Sequence, residues 1–190
     1  MRCTILYTDF ERLQAHSNHV FTFWQSGAWG WAPPDASKKL EVAKLDWMMD
    51  LTNSLVIWLD KNIDMTNGEL ILAYANLGAL VEGWLKLFYC VYYLDYEKAP
   101  VENRNGIIEP NDLKFEQLKQ FSVGKLWENN SEWSLWIDKI QRRRNAIHSF
   151  NSRDIGDPYD FLNDIDLFSL FVSLVDERLP YPDYFDTFRN

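Results

Sequence analysis

The stretch LILAYANLGALVEGWLKLFYCVYYL, residues 70 to 94, decides the fold of this chain. Its apolar residues recur on nearly every side of a helix, and a helix of that kind is either buried in a protein core or crosses a membrane. Asn76, Glu82 and Lys86 interrupt the stretch, and charges near the centre of a membrane span are costly. The stretch therefore predicts the central, buried helix of a helical bundle.

Helical periodicity surrounds this segment on both sides. Before it, apolar residues at steps of three or four predict an amphipathic helix over residues 35–60, and the pair Asn67-Gly68 predicts a break before the central helix. After it, residues 99–110 lack periodicity and are typical of a surface loop. The remaining predicted helices are a short one over 111–121, one that Ser131 could cap and that runs through Ile147, and one from Pro158, with Asp157 as its candidate cap, to the residue before Pro180.

These elements predict an all-α protein, an antiparallel helical bundle of four long helices plus short helices. The length of 190 residues fits a single domain over 1–190, with a helical core over about 35–180. Residues 1–34 form an aromatic-rich extension whose structure the pattern leaves open, although 10–24 could be a further helix on the bundle. The aromatic residues of this extension include Phe21, Phe23, Trp24, Trp29 and Trp31.

Charge and cysteine content indicate which partners and which cellular compartment to expect for this protein. The net charge of −9 opposes non-specific attraction to phosphate backbones, so any contact with nucleic acid must be local. The two cysteines, Cys3 and Cys90, do not resemble the paired framework of a secreted protein, and no apolar secretory segment opens the chain. We therefore expect a cytoplasmic protein without a membrane partner.

The sequence lacks the residue patterns of several common kinds of active site. His16 and His19 could share one helix face, but no carboxylate or cysteine nearby in sequence completes a metal-ligand set. The chain also has no glycine-rich phosphate loop and no Gly-x-Ser-x-Gly turn. We therefore predict neither a metal nor another cofactor.

The strongest chemical signal is the cluster QRRRNAIHSF, residues 141 to 150. On an α-helix Arg144 and His148 lie one turn apart on one face, with Arg143 and Asn145 about 100° to either side. Arginine binds a phosphate through two parallel hydrogen bonds, and histidine titrates near neutral pH and can move a proton. The alternative interpretation is a basic helix end that interacts favourably with the helix dipole.

Two charged residues stand at apolar helix positions and need partners. Glu82 lies in the central helix, where an unpaired carboxylate would be costly. It is either half of a structural salt bridge or the residue that orients an arginine of the cluster. Arg144 interrupts an apolar stripe that consists of Trp133, Trp136, Ile137, Ile140 and Ile147.

The cluster resembles the signature of the HEPN superfamily, a group of all-α proteins that are often metal-independent ribonucleases. Arg143, four further residues and His148 match its arginine and histidine, and the surrounding Arg-Arg-Asn-Ala-Ile-His-Ser-Phe is similar to the version in bacterial HEPN-like proteins. Many members have a polar residue, often Asn, directly after the arginine. Either Arg143 is therefore the motif arginine with Arg144 in the polar position, or Arg144 and Asn145 are the functional pair in a shortened register.

The resemblance implies a ribonuclease of a toxin or phage-defence system that cleaves single-stranded RNA by attack of a 2′-hydroxyl on the adjacent phosphate. His148 would be the general acid or base, Arg143 or Arg144 would stabilise the phosphorane charge, and Asn145 would orient groups. The implied partners are a second copy of the chain, which brings the two clusters together, and an antitoxin or neighbouring protein. The alternative is a non-catalytic dimeric module whose cluster binds a nucleotide, a nucleic-acid end or a protein partner.

Overall fold

A computed structural model describes residues 2–27 and 30–183, and α-helices dominate this part of the chain. The all-α prediction is confirmed. The helices are α1 Arg2–Gly27, α2 Pro34–Glu41, α3 Leu45–Lys61, α4 Asn67–Val91, α5 Tyr93–Tyr96, α6 Phe115–Ser122, α7 Glu132–Arg144 and α8 Pro158–Asp176. The described strands are β1 Glu102–Asn103 and β2 Gly106–Ile107, an antiparallel pair in which Glu102 faces Ile107. Short 3-10 turns cover Asn62–Asp64, Pro110–Asp112 and Asn145–His148.

Helix α4 lies at the centre of the bundle, as the sequence predicts. It packs against α2, α3, α6, α7 and α8, and buried residues occur on all of its sides. By length and composition it could also cross a membrane, but 56% of its most apolar window is buried within the fold. That burial is the pattern of a core helix.

The chain breaks before α4 as predicted, but the break lies before Asn67-Gly68, because both residues are in the first turn of the helix. Thr66 caps this helix: its hydroxyl accepts the N–H of Glu69, and the Glu69 carboxylate accepts the N–H of Thr66 at 2.8 Å. The two residues satisfy each other's backbone donors in a capping box. The cap therefore fixes the start of the helix, and two turn-forming residues after it do not end it.

The single helix predicted over 35–60 is divided into α2 and α3 by a turn at Val42–Lys44. None of the turn residues is a proline or a glycine, so the sequence carries no local signal for the break. The cause is tertiary. Both helices pack against α1 and α4, and α2 packs in addition against α5.

The aromatic N-terminal segment contributes a further long helix, α1, which packs against α3 and α8. Its buried face joins the core of the bundle through Phe10, Leu13, Val20, Phe21 and Trp24. The sequence pattern alone does not determine the structure of this segment. Trp29 and the side chain of Cys3 lie outside the described part of the chain.

Candidate functional site

The arginine, asparagine and histidine cluster lies where α7 ends. The α-helix stops at Arg144, and Asn145–His148 form a 3-10 turn, so the prediction of a continuous α-helix through Ile147 is wrong. A 3-10 helix has about three residues per turn, and side chains three positions apart eclipse each other. The turn therefore places Asn145 and His148 on one face, instead of Arg144 and His148.

Arg143 is the buried cation of α7, with a side chain only 8% exposed. It donates to Asp160 at 2.8 Å and to the hydroxyl of Tyr74, and its guanidinium lies 3.5 Å from the carboxylate of Asp164. The sequence assigned the interruption of the apolar stripe to Arg144. Steps of three and four residues from Ile140 lead to Arg143 and Arg144 respectively, and helix packing selects Arg143 for burial.

The partner of this cation, Asp164 on α8, is completely buried. It accepts hydrogen bonds from Trp136 Nε1 at 2.9 Å and from the Tyr74 hydroxyl at 2.9 Å, and Lys139 Nζ lies 2.5 Å away. Burial, reinforced by the negative charge of Asp164, raises the pKa of Tyr74 far above its ordinary value, so the phenol stays protonated and donates. The Arg143 hydrogen bond lowers the pKa of Asp160. Arg143 is thus held within a buried network.

Arg144 has different surroundings, and its side chain is 31% exposed. One guanidinium nitrogen donates to Glu82 at 2.9 Å and the other to the side-chain carbonyl of Asn145 at 3.1 Å. Glu82 also forms a salt bridge with Lys86, one turn further along α4, at 2.9 Å. Glu82 therefore contacts an arginine of the cluster and also forms a salt bridge.

Gly78 allows α7 to approach α4 at this point. A β-carbon at position 78 would lie 2.4 Å from Cγ and 2.5 Å from Cβ of Arg144. Such distances are far inside van der Waals contact, so the side chain of Arg144 lies directly over the backbone of α4. The missing side chain at Gly78 is what lets Arg144 extend to Glu82.

We expect Gly78→Ala to lower the free energy of unfolding by about 1 to 3 kcal/mol, because overpacking at the helix crossing outweighs the better helix propensity of alanine. The matched control is Gly68→Ala in the first turn of the same helix, where a β-carbon meets nothing within 4 Å. That change should be neutral or stabilising. Urea denaturation followed by circular dichroism measures both, and equal effects at the two positions would contradict the close approach of Arg144.

A basic cleft lies on the other side of the cluster. It has a volume of about 260 Å³ and is lined by Lys139, Arg142, Arg143, Arg153 and Asp154. A neighbouring cavity of about 520 Å³ is lined mainly by residues 149–156, and Phe150 at its edge is fully exposed. Arg142 and Arg153 are exposed and have no hydrogen-bond or ion-pair partner within residues 2–27 and 30–183. Arg143 therefore lines this cleft, whereas Arg144 lines a separate pocket between α3 and α4.

The structure thus separates the predicted site residues into two groups. Arg144, Asn145 and Glu82 are joined by hydrogen bonds, and the exposed His148 ends the turn that begins at Asn145. Arg143 points towards α8. The sequence analysis assigned no role at the site to four residues that surround the cluster: Lys86, Phe150, Arg153 and Asp164. Two of them carried a signal, since Lys86 follows Glu82 by four residues and Asp164 interrupts the apolar stripe of α8.

Two other potentially reactive side chains, those of His16 and Cys90, have partners away from the cluster. His16 lies 2.9 Å from the carboxylate of Asp176 across α1 and α8. Burial raises the pKa of the Cys90 thiol to about 12, and this thiol donates to Asn111 at 2.7 Å. It is therefore protonated at neutral pH and is not a nucleophile there. Within the described residues, no three His, Cys, Asp or Glu side chains gather as a group that could hold a metal ion.

No protein-family model, curated protein or solved structure matches this chain. The chemistry of the site therefore rests on the side chains themselves: a partly exposed arginine held by a carboxylate and an amide, an exposed histidine, and a basic cleft that Arg143 lines.

Proposed function

We propose that this chain is a metal-independent ribonuclease of the HEPN type, an effector of a toxin or phage-defence system, in which Arg144, Asn145 and His148 act on single-stranded RNA. The observation that carries the proposal is the 3.1 Å hydrogen bond from Arg144 to Asn145, at the start of the turn that ends at the exposed His148. It favours Arg144 with Asn145 as the functional pair. Arg143 has its guanidinium committed to Asp160, Asp164 and Tyr74.

In this mechanism a 2′-hydroxyl of RNA attacks the adjacent phosphorus and the bond to the 5′-oxygen of the next nucleotide breaks. The products are a 2′,3′-cyclic phosphate and a free 5′-hydroxyl. An arginine side chain has five N–H donors, and Arg144 uses two of them within the described structure, so the others remain for the charge of the phosphorane. His148 removes the proton of the 2′-hydroxyl or donates one to the leaving oxygen.

The same reaction favours a homodimer. It needs one group that accepts a proton and another that donates one, and the cluster of one chain supplies one histidine. A second copy packed with its cluster beside the first would supply the other. We expect a dimer in light scattering at tens of micromolar, and a monomer that still cleaves RNA would contradict the composite site.

The basic cleft next to the cluster supplies contacts for single-stranded RNA. Arg142 and Arg153 offer unpaired guanidinium groups for phosphates, and the exposed ring of Phe150 offers a face on which a base can stack. In a chain of net charge −9 these contacts are local, as the composition requires.

We expect Arg153→Ala to weaken binding of a fluorescent single-stranded RNA and to reduce the dependence of log Kd on log salt by about 0.7, because one phosphate contact is lost. Phe150→Ala should weaken binding about 5- to 100-fold through the loss of one stacked base. Fluorescence anisotropy in a His148→Ala background measures both without cleavage. Arg104→Ala, which removes an exposed arginine from the turn between β1 and β2, is the matched control and should leave binding unchanged.

The deciding experiment is incubation of the pure protein with single-stranded RNA in excess chelator, together with the same oligonucleotide carrying one 2′-deoxynucleotide at the cleaved position. We expect cleavage with a cyclic phosphate end in the first substrate and none at the deoxy position in the second. RNA that stays intact with micromolar dimer would refute the ribonuclease and favour the non-catalytic module.

A further inference from the structure

A separate pocket of about 360 Å³ lies between α3, α4 and the Val42–Lys44 turn; we refer to it as the α3–α4 pocket. Apolar side chains form most of its wall, among them Leu45, Met48, Leu51 and Leu87. The volume falls within the range of pockets that hold small molecules, and such pockets are mainly apolar with a few converging polar groups.

Gly83 leaves room for Met48, one of the side chains that line the pocket. A β-carbon there would lie 2.2 Å from Cε of Met48, so the methionine side chain lies directly on the backbone of α4. Gly78 leaves room for the side chain of Arg144 in the same way, so the two glycines allow two long side chains to lie flat against α4. The pocket is therefore a product of close packing around α4, with a methionine that can adapt to an occupant.

The polar lining of the pocket is strongly cationic. Three cations, Lys44, Lys86 and Arg144, and one carboxylate, that of Glu82, line the pocket in a protein whose net charge is −9. Arg144 donates a hydrogen bond to Glu82 at 2.9 Å, Lys86 forms a salt bridge with the same carboxylate at 2.9 Å, and both side chains are partly exposed. Arg144 also donates a hydrogen bond to Asn145. Two N–H donors of the Lys86 ammonium and three of the Arg144 guanidinium remain, and none of these has a carboxylate partner in the described structure.

We propose that the α3–α4 pocket binds a small organic acid, with its carboxylate between Lys86 and Arg144 and its aromatic or branched aliphatic body against the apolar wall. Charge complementarity selects the anion, because a neutral ligand would leave the two cations with Glu82 alone. The apolar wall selects against inorganic anions, since they would leave most of the cavity unfilled.

Arg144 links this pocket to the proposed catalytic cluster. Its guanidinium contacts Glu82 inside the pocket and Asn145 outside it. A carboxylate bound in the pocket competes with Glu82 for Arg144, and the position of Asn145 responds through the same side chain. This regulatory link rests on the proposed ribonuclease function, whereas binding of the acid does not.

The test uses two fluorescent probes that differ only in charge, anilinonaphthalene sulfonate and its neutral parent phenylnaphthylamine. The sulfonate stands in for the carboxylate of the ligand. We expect the folded wild-type protein to bind one sulfonate probe per chain about tenfold more tightly than the neutral probe, because charged hydrogen bonds form to Lys86 and Arg144. Lys86→Gln should remove most of this difference, and Ala79→Leu, which fills the pocket from α4, should weaken both probes.

The matched control is Lys98→Gln, which removes a lysine that also forms a salt bridge, with Asp95 at 2.6 Å, but does not line the pocket. It should bind both probes as the wild type does. Equal affinity for the two probes in the wild type, or unchanged binding in Ala79→Leu, would overturn the proposal. Circular dichroism confirms that each variant is folded, and because the readout is binding, inactivity towards RNA leaves the result intact.

Discussion

His148→Ala is expected to reduce the rate of RNA cleavage about 100- to 10,000-fold, the range that general acid or base catalysis contributes. The melting temperature should stay within a few degrees of the wild type, because the side chain is exposed and lies in a 3-10 turn at the end of α7. Initial cleavage rates on a fluorescent RNA, with circular dichroism melting of the same samples, measure both quantities.

The control for this change is His19→Ala, which removes a histidine from α1 and should leave the rate unchanged. Arg144→Gln should lose cleavage as well, since the phosphorane loses its charged donor. A fully active His148→Ala protein would rule out the proposed mechanism, and the basic cleft would then be a binding surface alone.

Asp164→Ala should have the largest effect on stability, a loss of about 3 to 5 kcal/mol in the free energy of unfolding. The completely buried carboxylate accepts from Trp136 and Tyr74 and pairs with Lys139 and Arg143. Its removal leaves these donors without their partner and leaves the Arg143 charge with Asp160 alone. Urea denaturation followed by circular dichroism and by tryptophan fluorescence measures the loss.

The matched control is Asp50→Ala, because Asp50 is an exposed aspartate within another long helix, α3. Its effect should stay within about 0.5 kcal/mol. A small loss for Asp164→Ala would show that the network contributes little to stability, and Arg143 would then be available for a phosphate. The comparison therefore decides which arginine of the cluster belongs to the scaffold.

Local patterns in the sequence determined the class of the fold. The all-round apolar character of residues 70–94 identified α4 as the central helix, because such a segment must be covered on every side. The caps at Ser131 and Asp157 predicted the starts of α7 and α8, since a side-chain cap satisfies the first backbone donors. The sequence also singled out Glu82 and Arg144 as charged residues that need partners.

Tertiary packing decided which arginine is buried and where the helices break. Arg143 and Arg144 both satisfy helical spacing from Ile140, and the choice depends on Asp160 and Asp164 of α8, which the pattern of α7 does not contain. The turn that divides α2 from α3 contains no proline or glycine, and the division accompanies the packing of α2 against α5. A periodic pattern shows which face of one helix is apolar, whereas the partner of a charge depends on how several helices cross.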